Sequence, residues 1–348
     1  MVCIVFSEVN EMKRIKAIVT VSAMAALILN SRDALRAAAE GVELCLKTAV
    51  PSLFPFFVLS AMLVPYCSFL RLPRLGHILS FPAGWESVFV LGCIAGYPVG
   101  AQCVCQGYAA GALNEDDARR MIPLCCNCGP SFLFGIVASV LESVSLAAAV
   151  WMVCVLSSFL TALLISGKPS KGDALPLTPL SLPQAVQRGC KAMISVCAWI
   201  ILGKVVLSFL PDGIILSGLL EMTNGCLNLV RVCDGPFGFV LACVFCAFGG
   251  ICVCLQVYSL CDEAEISGKG YLGCKLIQAI LAAGLAGLFL MHPVLPLSVV
   301  PIALLLKLTM EKTEYMMYNT VSKGGIFHVI PKKDAKVLPV LHSQHKTQ

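Results

Sequence analysis

Long apolar segments separated by short polar turns run through most of the chain. Three of them contain almost no charged residue: Val144–Ile165, Ile194–Leu210 and Phe237–Leu260. At roughly 20 residues each, they match the hydrocarbon thickness of a bilayer. A membrane-spanning backbone must pair its own amides, and these segments do not alternate in polarity as barrel strands do. The pattern therefore predicts an all-α fold, a polytopic membrane helix bundle.

The order of apolar and polar segments divides the chain into five parts. We expect an N-terminal transmembrane helix at 1–30, a first membrane repeat at 31–166 and a polar linker at 167–183. A second membrane repeat at 184–308 and a polar C-terminal tail at 309–348 follow. The basic residues before the first apolar run are also typical of a cleavable signal, and this alternative stays open.

Composition excludes a soluble protein. Hydrophobic residues make up 58% of the chain and charged residues 13%, whereas soluble domains carry about a quarter charged residues. The net charge of +5 is spread over loops and tails, so the lipid bilayer is an expected partner and nucleic acid is not. Most of the 20 cysteines lie in apolar segments, where they act as small apolar residues rather than as a disulfide framework.

The two membrane repeats resemble each other locally. Phe89–Cys93 matches Phe239–Cys243, and a glycine-containing interruption follows each. Lysine and arginine favour the cytoplasmic side, and placing the basic N-terminus, the loop at 71–77 and the linker there predicts that the repeats are inverted. The segments 86–106 and 236–260 would then be broken and re-entrant. The side of the C-terminal tail stays open.

Three interruptions in apolar segments predict a binding site. They lie at Gly96–Gly100, Asn127–Pro130 and Phe248–Gly250. Backbone leaves the helical pattern at membrane depth only where protein or a cavity satisfies it, and helix N-termini at such breaks attract anions. The alternative at each break is a structural kink without a ligand. The predicted substrate-binding residues are Gly96, Tyr97, Pro98, Gly100, Gln102, Asn127, Gly129, Pro130, Ser131, Glu221, Thr223, Asn224, Gly249, Gly250 and Gln256.

No motif points to catalysis or to a bound metal. The cluster Cys125-Cys126-Asn127-Cys128 lacks the two-residue spacing of zinc ligands, and the five histidines are scattered. The chain has no P-loop, no serine elbow and no His-Glu-x-x-His. We expect no catalytic residue, no metal and no cofactor, and therefore no enzyme.

Several of these motifs together resemble a known family. Pro51–Phe57, Gly96–Ala101 and Asn127–Pro130 follow in order, and Leu220–Gly225 and Phe248–Gly250 with Gln256 continue the likeness. This set is similar to the YlbJ/SpoVV sporulation integral membrane proteins, which are related to nucleoside-recognition gate domains. The resemblance implies import of dipicolinate across the outer forespore membrane and sporulation membrane proteins as candidate partners.

The chain departs from the family pattern at three positions. Cys126 and Cys128 stand where the family commonly has asparagine and serine, and Cys254 replaces the histidine of a His-x-Gln motif. The leading hypothesis is transport of a small anionic metabolite, with dipicolinate as the implied substrate. A nucleoside or ion transporter of the gate-domain type and a non-transporting sporulation scaffold are the alternatives.

Overall fold

The computed structural model describes residues 2–165, 167, 179–232 and 235–323, and every regular element in these ranges is a helix. The predicted all-α helix bundle is confirmed. The chain forms two compact units, Met1–Ala303 and Leu304–Gln348. All residues of the candidate site described below belong to the first unit.

The helices follow one another with short connections. They are α1 (Val2–Leu29), α2 (Ser31–Leu44), α3 (Val50–Leu63), α4 (Pro73–Leu79), α5 (Glu86–Ala95), α6 (Val99–Ala109), α7 (Glu115–Cys125), α8 (Pro130–Phe132), α9 (Ala138–Val140), α10 (Val144–Leu164), α11 (Leu182–Leu207), α12 (Ile214–Leu220), α13 (Met222–Val232), α14 (Pro236–Phe248), α15 (Gly250–Glu263), α16 (Tyr271–Met291) and α17 (Leu295–Lys323). Segments of π-helix, Cys45–Ala49 and Leu133–Val137, join α2 to α3 and α8 to α9, and the 3-10 segment Val64–Phe69 follows α3.

Six helical stretches of the described chain are long and apolar enough to cross a membrane. They are Ser31–Tyr66, Glu115–Val140, Val144–Leu164, Leu182–Leu207, Pro236–Glu263 and Tyr271–Met291. The first helix, α1, is not among them, so the predicted transmembrane helix at 1–30 stays a prediction. The predicted linker at 167–183 lies mostly outside the described residues, and α17 continues into the predicted polar tail as far as Lys323.

The buried core is formed by the helices that carry the interruptions. In Glu115–Val140 and in Pro236–Glu263, 78% of the most apolar 18-residue segment is buried, whereas the corresponding share in Leu182–Leu207 is 17%. Small residues allow close helix packing in this core: Ala147 and Cys154 on α10, Ala242 on α14 and Ala282 on α16 are all fully buried. The more exposed α11 packs along α2 and α3.

Four interruptions divide the core helices. Gly96–Pro98 separates α5 from α6, Cys126–Gly129 separates α7 from α8, and Gly249 separates α14 from α15, all at predicted places. The fourth, at Glu221 between α12 and α13, was not predicted. The inverted repeat stays a prediction. The two halves differ in one respect: in the first half a break separates α7 from α8 after α6, whereas in the second half α16, which follows α15, is continuous.

We expect a methyl group at Gly100 to destabilise the fold. A Cβ atom there would lie 1.9 Å from the Cys125 carbonyl oxygen, so α6 or the end of α7 would have to move. Overpacking of this kind costs about 1–3 kcal/mol. Gly284→Ala on α16 is the matched control, since a Cβ there meets no atom within 4 Å. Thermal unfolding in detergent should show a clear loss for Gly100→Ala only; equal midpoints would contradict the close packing.

Candidate functional site

The four interruptions form two crossing pairs in which backbone packs on backbone. In the first, a Cβ on Gly129 would lie 2.8 Å from the Gly96 Cα atom. In the second, a Cβ on Gly250 would lie 3.0 Å from the Leu220 carbonyl oxygen. Gly96, Gly249 and Gly250 also have φ near +83°, a conformation that side chains with a Cβ rarely adopt. These crossings therefore require glycine for two reasons: a Cβ atom would lie too close to the facing backbone, and the positive φ angles disfavour residues that have a Cβ atom.

Tyr97 connects the two crossing pairs. Its buried hydroxyl donates to the Cys246 carbonyl oxygen at 3.0 Å, and the Ala247 carbonyl oxygen lies 3.3 Å away. These carbonyls belong to the last turn of α14, which has no continuing helix to supply its donors. A side chain at the break between α5 and α6 thus donates a hydrogen bond to the backbone at the break between α14 and α15.

Lys275 performs the same task for the end of α7. This lysine is fully buried on α16. Its ammonium donates to the Cys126 carbonyl oxygen at 2.8 Å and also to Gln278, and it lies 5.3 Å from the centre of the Tyr97 ring. The sequence prediction missed Lys275, although a lysine inside the apolar segment 271–291 is itself a signal, because an intramembrane charge needs a purpose.

Asn127 belongs to this network and does not line the cavity between the breaks. Its Oδ1 accepts from Gln278 at 3.0 Å, and its Nδ2 donates to the Leu124 carbonyl oxygen at 2.7 Å. The amide is therefore engaged with protein on both sides. Asn127 thus supports the break through these two hydrogen bonds, and its contact with a solute stays a prediction.

A cavity of about 40 Å³, here called the central cavity, lies at the breaks. Seven of the predicted residues line it: Gly96, Tyr97, Gly129, Ser131, Glu221, Thr223 and Gln256. Three residues of α11 that were not predicted complete the wall, namely Val196, Trp199 and Ile200. Pro98, Gly100, Asn127, Pro130, Asn224, Gly249 and Gly250 do not line it, and Gln102 lines a neighbouring cavity.

Glu221 places a carboxylate at this wall. One oxygen accepts from the Thr223 backbone N–H at 3.0 Å, and the other accepts from the backbone and side-chain amides of Asn224 at 2.8 and 2.9 Å. The protein's own carboxylate therefore occupies the N-terminus of α13, at a break that is not one of the three predicted to attract an anionic solute. A buried carboxylate so bonded stabilises the helix start electrostatically.

Two further cavities lie along α11 on either side of the central cavity. The first, the Arg188 cavity, has about 30 Å³ and is lined by Gln102, Gln106, Arg188 and Ala192 among others. The second, the Lys204 crevice, has about 250 Å³ and is lined by Glu40, Lys204, Ser208, Asp212 and Ser217 among others. Phe57 lines both the Arg188 cavity and the central cavity, so its ring lies between them.

No metal site is evident among the residues that the structure describes, where no group of three or more His, Cys, Asp or Glu side chains could hold an ion. The cysteines of the 125–128 cluster are buried and free. Their chemistry in the described core is that of small apolar side chains that allow close packing.

The chain is similar to a curated membrane protein over most of its length. It is 24% identical over 320 residues to the sporulation integral membrane protein YlbJ of Bacillus subtilis (strain 168), which covers 74% of this chain and 78% of that protein. No protein-family profile matches the chain, and no solved structure matches it. The similarity confirms the resemblance predicted from the motifs and makes the chain a distant relative of that protein.

Removing the Tyr97 hydroxyl should loosen the contact between the two pairs of breaks. Tyr97→Phe leaves the Cys246 carbonyl oxygen without its side-chain donor in a buried position, at a cost of about 1–3 kcal/mol. Tyr108→Phe is the control, because no hydrogen bond of the Tyr108 hydroxyl occurs in the described chain. Thermal unfolding in detergent should separate the two variants. Identical midpoints would show that Tyr97 does not support the break.

Proposed function

We propose that this chain, a distant relative of the sporulation membrane protein YlbJ, is a membrane transporter that moves a small anionic metabolite without converting it. The observation that carries the proposal is the succession of three cavities along one helix. The stripe of Arg188, Ala192, Val196, Ile200 and Lys204 on α11, continued by its C-cap Ser208, lines all three in order. At 1.5 Å per residue the stripe is about 30 Å long, which equals the thickness of a bilayer's hydrocarbon core.

The charge of Arg188 supports an anionic solute at one of the two outer cavities, whereas the Lys204 crevice is lined by Glu40 and Asp212 as well as by Lys204. Arg188 lines one and Lys204 the other. A cation at a cavity mouth raises the local concentration of an anion. Lys204 lies 3.5 Å from Glu40, so the Arg188 cavity is the more strongly positive of the two. We propose it as the side on which the anion is collected.

The central cavity is too small for an aromatic solute in this structure. A volume of about 40 Å³ accommodates a few water molecules and no aromatic dicarboxylate, so transport requires it to widen. Movement of α11 away from the breaks would widen it, because α11 forms one wall and is the least buried of the candidate spans. The Phe57 ring would act as the gate towards the Arg188 cavity.

Dipicolinate is the proposed solute, and the mother-cell-derived outer forespore membrane is the proposed location. The support is the similarity to a sporulation integral membrane protein together with the basic residue Arg188 at one outer cavity. Proteins of the sporulation membrane are proposed partners. A planar aromatic dianion would place its ring against the Trp199 and Tyr97 side chains that line the central cavity.

Filling the central cavity should block uptake. We expect Val196→Trp to reduce dipicolinate uptake into proteoliposomes by about tenfold or more, because a steric penalty of about 1.4 kcal/mol already corresponds to tenfold. Uptake can be followed by the luminescence of trapped terbium. The same substitution on the outside of the helix is the control, as Ile194→Trp changes a side chain that is 70% exposed and should leave uptake within about twofold, since surface substitutions have small effects.

Two results would contradict the proposal. If wild-type protein gave no more uptake than protein-free liposomes, dipicolinate transport would be excluded. If Val196→Trp transported as well as Ile194→Trp, the solute would not pass along this stripe of α11.

A further inference from the structure

The Glu221 carboxylate lacks a cationic partner. The described lysine and arginine side chains form no ion pair with it, and the ion pair nearest to it in sequence joins Lys204 to Glu40 instead. The titratable groups around it are the thiols of Cys45, Cys226 and Cys252, none of which supplies a positive charge. A buried carboxylate without a counterion is costly unless its charge is removed or compensated.

The hydrogen bonds of Glu221 leave room for a proton and little room for a metal ion. A carboxylate offers about four lone-pair sites. Three accept N–H groups from Thr223 and Asn224, and the Thr223 hydroxyl is within bonding reach of the same carboxylate. Because a hydroxyl rotates to suit its partner, it can donate to the ionised carboxylate or accept from the protonated one. A metal ion would need several oxygens where N–H groups already point.

Two more polar groups in the same cavity have no protein partner. Gln256 is 6% exposed and Ser131 is 5% exposed, and both line the central cavity beside Glu221. In the described residues neither side chain makes a hydrogen bond. Buried polar side chains are normally satisfied, so these two are suited to a ligand that brings acceptors or donors into the cavity.

The Lys204 crevice reaches a residue close to Glu221 in the chain. Ser217, one helical turn before Glu221, is buried and lines that crevice, and its hydroxyl accepts from Asn228 at 3.0 Å. The crevice volume of about 250 Å³ is large enough for water. The crevice is therefore the side from which we expect a proton to reach Glu221.

We propose that Glu221 is the proton-coupling site of the transporter: it takes up one proton when a solute carboxylate enters the central cavity, and it releases that proton when the solute leaves. The inference rests on the proposed function. Two carboxylates at close distance cannot both remain ionised, so an anion entering beside Glu221 requires a proton on one of them. The proton joins a carboxylate oxygen, no covalent bond between heavy atoms changes, and the solute moves with one positive charge added.

Uptake into proteoliposomes under a pH gradient tests the coupling. With the outside about one pH unit more acidic, each coupled proton raises the accumulation of dipicolinate by up to about tenfold, equivalent to about 1.4 kcal/mol. A pH dye trapped inside should report acidification when dipicolinate is added. Both responses should disappear when an ionophore collapses the gradient, and protein-free liposomes should show neither.

The matched variants are Glu221→Gln and Glu86→Gln. Glu86 is also a buried carboxylate that accepts two backbone N–H groups, from Leu72 and Gly84, but it does not line the central cavity. Glu221→Gln should lose the stimulation of uptake by the pH gradient, whereas Glu86→Gln should keep it.

The outcomes separate the inference from its premise. Wild-type uptake that ignores the gradient and produces no acidification would overturn proton coupling while leaving transport intact, and so would stimulation that survives in Glu221→Gln. The wild-type measurement decides the question even if Glu221→Gln fails to fold. Absence of any wild-type uptake would contradict the proposed function itself, and the coupling inference would fall with it.

Discussion

A helix interrupted inside a membrane leaves carbonyl and amide groups that water cannot reach, and each unsatisfied group costs several kcal/mol. The structure depends on how these groups find partners. Tyr97 serves the end of α14, Lys275 serves the end of α7, and Glu221 serves the start of α13. The Tyr97 and Lys275 partners come from distant parts of the chain. The interruptions therefore join the two halves of the core into one packed unit, and glycine at each crossing allows the backbones to approach.

The same constraint determines which charges face the cavity. Lys275 is engaged by the Cys126 carbonyl oxygen and Gln278, and its ammonium lies over the Tyr97 ring. Glu221 faces the cavity directly. The centre of the proposed path is thus anionic while its two ends carry Arg188 and Lys204. An anion attracted by Arg188 would meet a like charge at Glu221, so neutralisation of Glu221 would allow its passage. The position of the Glu221 charge on the proposed path therefore links the proposed transport of an anion to the proposed uptake of a proton by Glu221.

The sequence predicts the breaks that contain glycine or proline, but it does not predict the features that depend on contacts between distant residues. The breaks at Gly96, Gly129 and Gly249 contain glycine or proline, and they were predicted. The break at Glu221 was not, because Leu220-Glu221-Met222 contains neither residue. The solute contact of Asn127 stays a prediction; what the sequence did not reveal is that its amide bonds to Gln278, which lies 151 positions away in the chain. Lys275 was visible as a lone charge in an apolar segment, whereas the α11 wall of the cavity could be seen only after the helices were packed.

The most direct test of the account is a cryo-electron microscopy structure of the protein in lipid nanodiscs with saturating dipicolinate. We expect interrupted helices at Gly96, Asn127, Glu221 and Gly249, and solute density between Ser131, Gln256 and the Val196–Ile200 side of α11. Continuous helices through these positions, or solute density only outside the α11 stripe, would contradict it.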